Sequence, residues 1–368
     1  MRKDTLNKIW VSISVFSICL FFCYYQVMAS ADNKIEGREN DMVIQSFDGV
    51  ALSGVLTLPA NDKVRGIIIM VHGSFVQTRD GDLDGNQTWM FPYGVPKRGL
   101  FRDITNEFIT IGFGTYRYDK RASGKSGGDY QETDMVTLVK DVVSIFNVIK
   151  AQFPNIDIGL LGQSEGSLTV LKAWELGARA NFIQLQGPAL EPFDLTLHYQ
   201  KSHAAAPFLA ENLEGPLSQK FPYLAAFYHA LYFEDMLEKM RRGNEKYYML
   251  DWNGYKYRTN LKKYREYLWN GLEMLKAVTV PVYLIIGSKD TNVRPGVAQE
   301  IIEKQKIGEY QNVTVRIIEG LEHSFRKVSP GDNFVDVMAK PISQKYFEVL
   351  RSFYKQQGIY NSNCKKIF

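Results

Sequence analysis

Short apolar runs, each closed by a glycine, recur through most of the chain. The clearest are 66–73 (GIIIMVHG), 158–162 (IGLLG), 182–187 (FIQLQG), 282–287 (VYLIIG) and 313–320 (VTVRIIEG). Continuous apolar runs with many β-branched residues are typical of strands buried on both faces of a sheet. Segments with helical spacing of apolar residues lie between them, for example Phe101–Ile111 and Met135–Phe153. Strands that alternate with helices predict an α/β fold, with a mainly parallel sheet and helices on both of its faces.

Two more strands are predicted ahead of these runs. Met42–Ser46 and Leu52–Leu58 have strand-like patterns, and the segment between them contains Asp48-Gly49. An Asp-Gly pair between two such runs favours a tight turn. We therefore expect this pair of strands to open the folded part of the chain.

One interval interrupts the alternation of strands and helices. Glu191–Thr279 shows no recognisable strand pattern, and its apolar spacing is helical, with breaks at glycines such as Gly243 and Gly254. It holds 17 aromatic residues in 89 positions, against 31 in the other 279. We predict a helical insertion between two parts of the core, 32–190 and 280–368. It could pack a small core of its own or cap an apolar pocket above the sheet, and we expect some of both.

The pattern G-x-S-x-G occurs twice, at 162–166 (GQSEG) and at 124–128 (GKSGG). At Ser164 a buried strand pattern ends and a helical pattern, Glu165–Leu176, begins. A serine on so sharp a turn needs the close backbone approaches that glycine allows, and its hydroxyl lies at the carboxyl end of the sheet. Ser126 follows a polar segment, and no helical pattern starts directly after it. The context therefore favours Ser164 as the nucleophile.

A serine hydroxyl attacks well when a base accepts its proton and an acid orients that base. The chain contains five histidines, namely His72, His198, His203, His229 and His323. His323 follows the last strand pattern and Asp290 follows the strand before it, so the order along the chain is Ser164, Asp290, His323. This order matches that of hydrolases with a nucleophile elbow.

Alternatives remain open for the acid. Asp290 could merely cap a turn, and Asp332 and Asp336 are weaker candidates that follow the histidine. The three histidines of the insertion have no motif around them, and we interpret them as surface or packing residues.

Acyl transfer also requires two N–H groups that stabilise an oxyanion. In an elbow hydrolase one belongs to the residue after the nucleophile, here Glu165, and the other to the loop after the third strand. That loop is VHGSFVQTRDG, in which either Phe75, which we prefer, or Ser74 would donate. His72 is then expected to be a scaffold residue of this loop rather than a base.

Three motifs together resemble a known family, namely HGS…RD at 72–80, RYDKRASGKSGG at 117–128 and GQSEGS at 162–167. The chain is similar, from about Met42 to its C-terminus, to bacterial α/β-hydrolases of the serine aminopeptidase-like group, which includes secreted carboxylesterases. The resemblance implies an α/β-hydrolase fold with an eight-stranded sheet and a cap after the sixth strand. It also implies a Ser-His-Asp triad at Ser164, His323 and Asp290.

The chain departs from the family pattern at three positions. Gln163 stands where the family usually has histidine, and Phe75 and Ala122 stand where it usually has glycine. We expect Gln163 to be neutral, because its side chain should point beneath the elbow. Phe75 should narrow the oxyanion loop and alter the acyl pocket. Ala122 indicates that its loop can form without the conformational freedom of glycine.

The N-terminus has the features of an export signal. Arg2, Lys3 and Lys8 precede an apolar run, Ile9–Met28, and Ala29–Ala31 (ASA) supplies small residues at the positions that define a cleavage site. We predict a signal peptide over 1–31. The alternative is an uncleaved membrane anchor, because about 20 apolar residues can span a bilayer. Either way the remaining chain is expected to be exported, into the periplasm or out of the cell.

Charge and cysteine content exclude several classes of protein. The net charge of +4 over 368 residues, without a long block of like charge, argues against a nucleic-acid partner. Cys19 and Cys23 lie in the predicted signal, which leaves only Cys364, so neither an intramolecular disulfide nor a cysteine metal site is expected.

These observations predict an exported serine hydrolase that cleaves carboxylic esters through an acyl-enzyme and uses no cofactor or metal. The expected substrate is a small-molecule ester with an apolar part, or else a short peptide. A serine peptidase, an aminopeptidase and a lysophospholipase are alternatives on the same fold, and a catalytically inactive binding protein is the alternative from another class. A serine at the elbow excludes dehalogenase and epoxide-hydrolase chemistry, which needs a carboxylate there. Membrane contact is expected only if the N-terminal segment is not cleaved.

Overall fold

The structure is a computed structural model that describes residues 37–61, 63–84, 97–200, 202–203, 234–252, 255–266, 269–332, 334–356 and 365–366. The predicted signal peptide, His229 and Cys364 lie outside these ranges. Among the helices within them, none has both the length and the apolar character that a bilayer span requires.

The strands, in chain order, are β1 Arg38–Gln45, β2 Ala51–Leu58, β3 Lys63–Val64, β4 Gly66–Val71, β5 Gly114–Tyr118, β6 Asp157–Gln163, β7 Phe182–Gln186, β8 Tyr247–Trp252, β9 Tyr255–Asn260, β10 Val282–Gly287, β11 Val313–Ile318 and β12 Lys365–Lys366. Eight of them form one sheet in the order β1-β2-β5-β4-β6-β7-β10-β11. Strand β2 runs antiparallel to both of its neighbours, and the pairs from β5 to β11 are parallel. The predicted mainly parallel sheet is confirmed.

The helices are α1 Leu100–Thr110, α2 Met135–Gln152, α3 Glu165–Glu175, α4 Phe193–Gln200, α5 Leu261–Glu266, α6 Gly271–Lys276, α7 Gly296–Gln305, α8 Phe334–Ala339 and α9 Gln344–Gln356. Residues 234–242 are also helical. Helix α2 is capped at its N-terminus by Asp134, whose carboxylate accepts a hydrogen bond from the Thr137 N–H at 2.8 Å. Such a cap satisfies one of the N–H groups that a helix leaves unpaired at its start.

Strand β4 shows why the apolar runs are continuous. Its six residues are all buried, and alternate side chains enter two different hydrophobic clusters. Ile67 and Ile69 pack with residues of α2 and α3, whereas Ile68 and Met70 pack with residues of α1 and α9. Successive side chains of a strand point to opposite faces, so a sheet with helices on both faces requires apolar residues at every position. The predicted α/β-hydrolase layering is thus confirmed.

The prediction that Glu191–Thr279 contains no strand is wrong. Strands β8 and β9 pair as an antiparallel hairpin, with Trp252 opposite Tyr255. The two residues between them in the sequence are Asn253-Gly254, the dipeptide that most strongly favours a two-residue hairpin turn. Gly254 lies outside the described residues, and in the sequence it stands between two aromatic strands rather than between helices.

The described part of the insertion packs against the core near the elbow. Met236, Leu237, Tyr248 and Leu261 are buried in one cluster with core residues, namely Met135 and Leu138 of α2 and Leu168 of α3. Because α3 begins directly after Ser164, this packing fixes part of the insertion close to the predicted nucleophile.

Candidate active site

Ser164 lies on a strained turn between β6 and α3. Its φ and ψ angles are 55° and −120°, a conformation that residues other than glycine rarely adopt. The N–H of Ser164 donates to the carbonyl oxygen of Gln186 at 2.9 Å, which ties the turn to the end of β7. Strain of this kind is characteristic of a nucleophile elbow.

The two glycines of the motif allow close approaches of the backbone. A Cβ atom on Gly162 would overlap the carbonyl oxygen of Gly166, and a Cβ atom on Gly166 would overlap the carbonyl oxygen of Val71. Any side chain at either position would therefore push α3 away from β4 or β6. The spacing of the motif follows from this packing.

His323 and Asp290 form a buried pair at the carboxyl ends of the neighbouring strands. The Nδ1 atom of His323 lies 2.7 Å from Oδ2 of Asp290. The other carboxylate oxygen of Asp290 accepts hydrogen bonds from the N–H groups of Asn292 at 2.8 Å and Val293 at 3.0 Å. Asp290 therefore caps a turn with one oxygen and orients the imidazole with the other.

The pair changes the proton affinity of the imidazole. Burial lowers the pKa of His323, but attraction to Asp290 and the hydrogen bond between them outweigh burial, so its pKa lies above the ordinary value of 6.5. In the neutral ring the proton remains on Nδ1, facing the carboxylate. The Nε2 atom then carries a lone pair and acts as an acceptor.

Gly187, at the end of β7, makes room for this pair. This role of Gly187 was not predicted from the sequence. It has φ of 47°, and a Cβ atom there would lie 2.9 Å from His323 Nδ1 and 3.3 Å from Asp290 Oδ2. Its position at the end of an apolar run was visible in the sequence. Its contact with two residues far along the chain was not.

Gln163 makes a contact that was also not predicted. It is buried beside the elbow, and its amide nitrogen lies 3.3 Å from Nε2 of His323. Because Nδ1 of the neutral ring donates to Asp290, the amide of Gln163 donates to Nε2. Gln163 therefore contacts the ring atom that a serine hydroxyl would use.

The loop after β4 carries the predicted second oxyanion donor. Phe75 has φ of 67°, the left-handed region that favours glycine. The carbonyl oxygen of Ser74 accepts a hydrogen bond from the side-chain amide of Gln77 at 2.6 Å, and that of Gly73 accepts one from Lys120 Nζ at 2.7 Å. Side chains thus fix two successive peptide groups of this loop.

His72 is buried at the start of the same loop. Its Nε2 atom lies 3.0 Å from the carbonyl oxygen of Thr78 and donates to it. Burial, together with the nearby charge of Lys120, lowers the pKa of His72 to about 3. A histidine that is neutral throughout the physiological range serves here to shape the loop.

The other candidates lie in different surroundings. His198 and His203 are exposed on and after α4, and the carboxylate of Asp332 pairs with Lys340. Asp336 is exposed on α8. The hydroxyl of Ser126 donates to the Asp119 carbonyl oxygen at 2.6 Å and accepts from the Ser53 N–H at 2.9 Å, and these bonds join its loop to β2. The structure therefore brings Asp290, but not Asp332, to the candidate base.

Comparison with known proteins identifies the family. A family model described as serine aminopeptidase, S33 matches residues 97–326, more than half of the chain, including Ser164, Asp290 and His323. The chain belongs to this family. The protein is therefore an α/β-hydrolase of the serine aminopeptidase S33 family, as the resemblance in the sequence suggested. No relative was found among curated proteins.

Solved structures share the fold of this S33-family chain. The esterase Pf2001 from Pyrococcus furiosus superposes with a TM-score of 0.52 at 18% identity, covering 88% of this chain and 91% of its own. Est1E from Butyrivibrio proteoclasticus, with ferulic acid bound, superposes with a TM-score of 0.54 at 17% identity, covering 86% and 98%. At such identities the likeness shows the fold alone.

Two departures from the S33-family pattern occur at unusual backbone angles. Phe75 and Ala122, where the family usually has glycine, have φ of 67° and 66°. The loop of Ala122 forms without a glycine, but the alanine in its place keeps the left-handed backbone. An L-residue pays for a left-handed backbone with about 1–2 kcal/mol of steric strain.

The described residues contain no group of three or more His, Cys, Asp or Glu side chains that could hold a metal ion.

Proposed function

We propose that this hydrolase is a serine esterase that cleaves carboxylic esters through an acyl-enzyme. Ser164 is the nucleophile, His323 the general base and Asp290 the group that orients it. The observation that carries the proposal is the 2.7 Å hydrogen bond between His323 and buried Asp290. This pair follows the carboxyl ends of its strands, as the strained turn of Ser164 follows the carboxyl end of β6. A nucleophile, a base and an orienting acid in this chain order are the components of acyl transfer.

The proposed reaction has two steps. In acylation, the hydroxyl of Ser164 attacks the carbonyl carbon while Nε2 of His323 accepts its proton, and Asp290 stabilises the imidazolium. Two backbone N–H groups stabilise the oxyanion, that of Glu165 and that of either Phe75 or Ser74. His323 then gives the proton to the leaving alcohol. A water molecule attacks the acyl-enzyme in the same way and releases the acid.

The surroundings of Glu165 support an ester substrate over an aminopeptidase substrate. A peptidase that recognises a free amino terminus needs a carboxylate whose charge is available. The carboxylate of Glu165 is 2.7 Å from Lys120 Nζ and 4.0 Å from Lys263 Nζ, and all three side chains are buried. Two cations already surround it, so an ammonium group there would add a third positive charge.

The substrate is proposed to have an apolar acyl or alcohol part. The insertion Glu191–Thr279 is rich in aromatic residues and packs against the helix that follows Ser164. Est1E, which shares the fold, has been solved with an aromatic acid, ferulic acid. We further propose that the enzyme is exported, which is supported by the basic, apolar and small-residue segments of 1–31.

A covalent label tests the nucleophile. A fluorophosphonate probe should label the wild type and Ser126→Ala, because Ser126 is bonded to the backbone of its loop. It should not label Ser164→Ala. Ester hydrolysis should disappear in the same variant, and a parallel set of aminoacyl amides should be hydrolysed much more slowly than esters by the wild type. Persistent labelling of Ser164→Ala contradicts the assignment, and faster amide hydrolysis favours a peptidase.

A further inference from the structure

Lys120 connects the two segments that the proposed function assigns to the oxyanion hole. It follows β5 and is 4% exposed, and its Nζ atom lies 2.7 Å from the carbonyl oxygen of Gly73 and 2.7 Å from Oε1 of Glu165. Glu165 is 2% exposed and directly follows Ser164. Gly73 directly precedes Ser74, in the loop after β4. One ammonium group therefore holds both segments.

The bond to Gly73 orients a candidate donor. A carbonyl group and the N–H of the next residue belong to one planar peptide group and point in opposite directions when it is trans. By holding the oxygen of Gly73 on its own side, Lys120 directs the N–H of Ser74 to the other side. The bond to Glu165 acts on the second donor, because that residue's own N–H is the one beside the nucleophile.

A second lysine lies near the other oxygen of the same carboxylate, beyond hydrogen-bond distance. Lys263, on α5 of the insertion, is 5% exposed, and its Nζ atom lies 4.0 Å from Oε2 of Glu165 and 3.0 Å from the hydroxyl of Tyr130. Burial, then the charge of Lys120, lower the pKa of Lys263 to about 8, although Glu165 opposes the shift. The carboxylate is thus hydrogen-bonded to a cation of the core and faces a second cation from the insertion.

We propose that Lys120 is a positioning residue that sets the separation of the two segments carrying the oxyanion donors, and the orientation of the Ser74 N–H, through its bonds to Gly73 and Glu165. This role rests on the proposed function. Oxyanion donors act on charge that develops in the transition state, and their position matters more for kcat than for binding of the ground state. Loss of Lys120 should therefore lower kcat with little change in KM.

The test uses an esterase assay in which competent sites are counted by complete titration with a fluorophosphonate. Lys120→Met keeps an apolar stem of similar length and removes the ammonium. Its kcat per titrated site should fall about 10- to 100-fold, while KM changes less than about threefold. This fall should not exceed the one expected when a whole oxyanion donor is removed. A trifluoromethyl ketone, which forms a tetrahedral oxyanion on the serine, should lose affinity by a similar factor. The matching methyl ketone should bind as before.

Arg121→Met is the matched control. Arg121 is the next residue, is equally buried and forms ion pairs with Asp48 and Asp141. Its loss should lower Tm but leave kcat per titrated site within about twofold of the wild type. General destabilisation reduces the number of folded, competent active sites and does not change the turnover rate of each one.

A second variant covers the case in which Lys120→Met does not fold. Glu165→Gln keeps an oxygen that accepts from Lys120 but removes the ion pair, so kcat per site should fall about three- to tenfold with KM little changed. If kcat per site in Lys120→Met equals that of the wild type, the positioning role of Lys120 is overturned. If Lys120→Met does not fold, the same result in Glu165→Gln overturns it. A wild type that the fluorophosphonate does not label refutes the proposed function itself, and with it this role for Lys120.

Discussion

The hydrogen bond between His323 and Asp290 determines how activity should vary with pH. His323 accepts a proton only when neutral, so kcat/KM for an uncharged ester should rise with pH, with the midpoint of its acid limb above 6.5. Asp290→Asn removes the charge that raises the pKa of His323. The midpoint should then move to lower pH, and kcat should fall by roughly 10⁴-fold.

Initial rates from about pH 5 to pH 9 measure both effects. Asp332→Asn is the control, since the carboxylate of Asp332 pairs with Lys340 and should not affect the limb. An acid limb that stays in place in Asp290→Asn contradicts the assignment of this aspartate.

Ala122 is a residue at which a single substitution should stabilise the fold. Its φ of 66° costs an alanine about 1–2 kcal/mol, and glycine relieves this strain but costs roughly 0.5–1 kcal/mol of entropy in the unfolded chain. Ala122→Gly should therefore raise the free energy of unfolding by up to about 1.5 kcal/mol. Urea unfolding, followed by circular dichroism, measures the change.

The same substitution in a helix should have the opposite sign. Ala151 is exposed near the end of α2, so Ala151→Gly should lower the free energy of unfolding by about 0.5–1 kcal/mol. If both substitutions destabilise the protein equally, the backbone at Ala122 is not strained.

Among the elements, the insertion is the one that we propose to determine substrate choice. Its first helix, α4, places Tyr199 so that the hydroxyl donates to the carbonyl oxygen of Asp290 at 2.8 Å. Its hairpin and α5 contribute Tyr248 and Leu261 to the cluster that includes Leu168 of α3. The insertion therefore contacts elements that carry the acid and the nucleophile, and we propose that it forms the pocket for the acyl chain.

A series of esters of increasing acyl length tests this proposal. Each buried methylene is worth about 0.8 kcal/mol, so kcat/KM should rise about fourfold per methylene until the pocket is full and then fall. Tyr199→Ala should flatten this dependence and leave activity on acetate esters within severalfold. Tyr199→Phe, which removes only the hydrogen bond to Asp290, should retain the dependence of kcat/KM on acyl length.

Tyr247→Ala is the control from the same insertion, because its hydroxyl bonds to Glu132 rather than to the acid. A wild-type series that is already flat, or an equal loss on acetate and longer esters in Tyr199→Ala, would show that the insertion does not select the acyl chain.

The elements of the core were predictable because both faces of the sheet are covered. Alternate residues of β4 enter opposite clusters, so its apolar run is continuous and easy to recognise. The helix predicted at Met135–Phe153 is found at Met135–Gln152. The hairpin β8–β9 was missed because its aromatic residues also fit a helical spacing, although Asn253-Gly254 between them was a strong local signal.

At the scale of the whole molecule, we propose that the N-terminal segment directs the enzyme to the place where it acts. If 1–31 is a signal peptide, the mature protein should begin at Asp32, directly after the small residues Ala29 and Ala31. N-terminal sequencing of the protein recovered outside the cytoplasm measures this. Substituting Ala29 and Ala31 by bulky residues should block processing, whereas the same change at Ala51 in β2 should not. Exported protein that still begins with Met1 would show that the segment is an anchor.

Candidate site residues could be predicted from the sequence where a local pattern carries the chemistry, but not where distant segments meet. Ser164 was identifiable from the strand and helix on either side of it. Lys120, Gly187 and Lys263 come from three separated segments, and the residues next to each do not indicate which distant residues it contacts. Their roles depend on tertiary contacts with Glu165 or the His–Asp pair, which periodicity along the chain does not encode.

The strand order has a consequence for when the enzyme can become active. The centre of the sheet and one edge are built from the first half of the chain, whereas β10 and β11 are added last, at the other edge. The elbow at Ser164 is therefore complete long before the turns that carry Asp290 and His323 exist. A chain that emerges from a ribosome, or across a membrane, in N-to-C order already has its nucleophile but lacks its base. Under the proposed mechanism, such a chain remains inert until its C-terminal strands have joined the sheet.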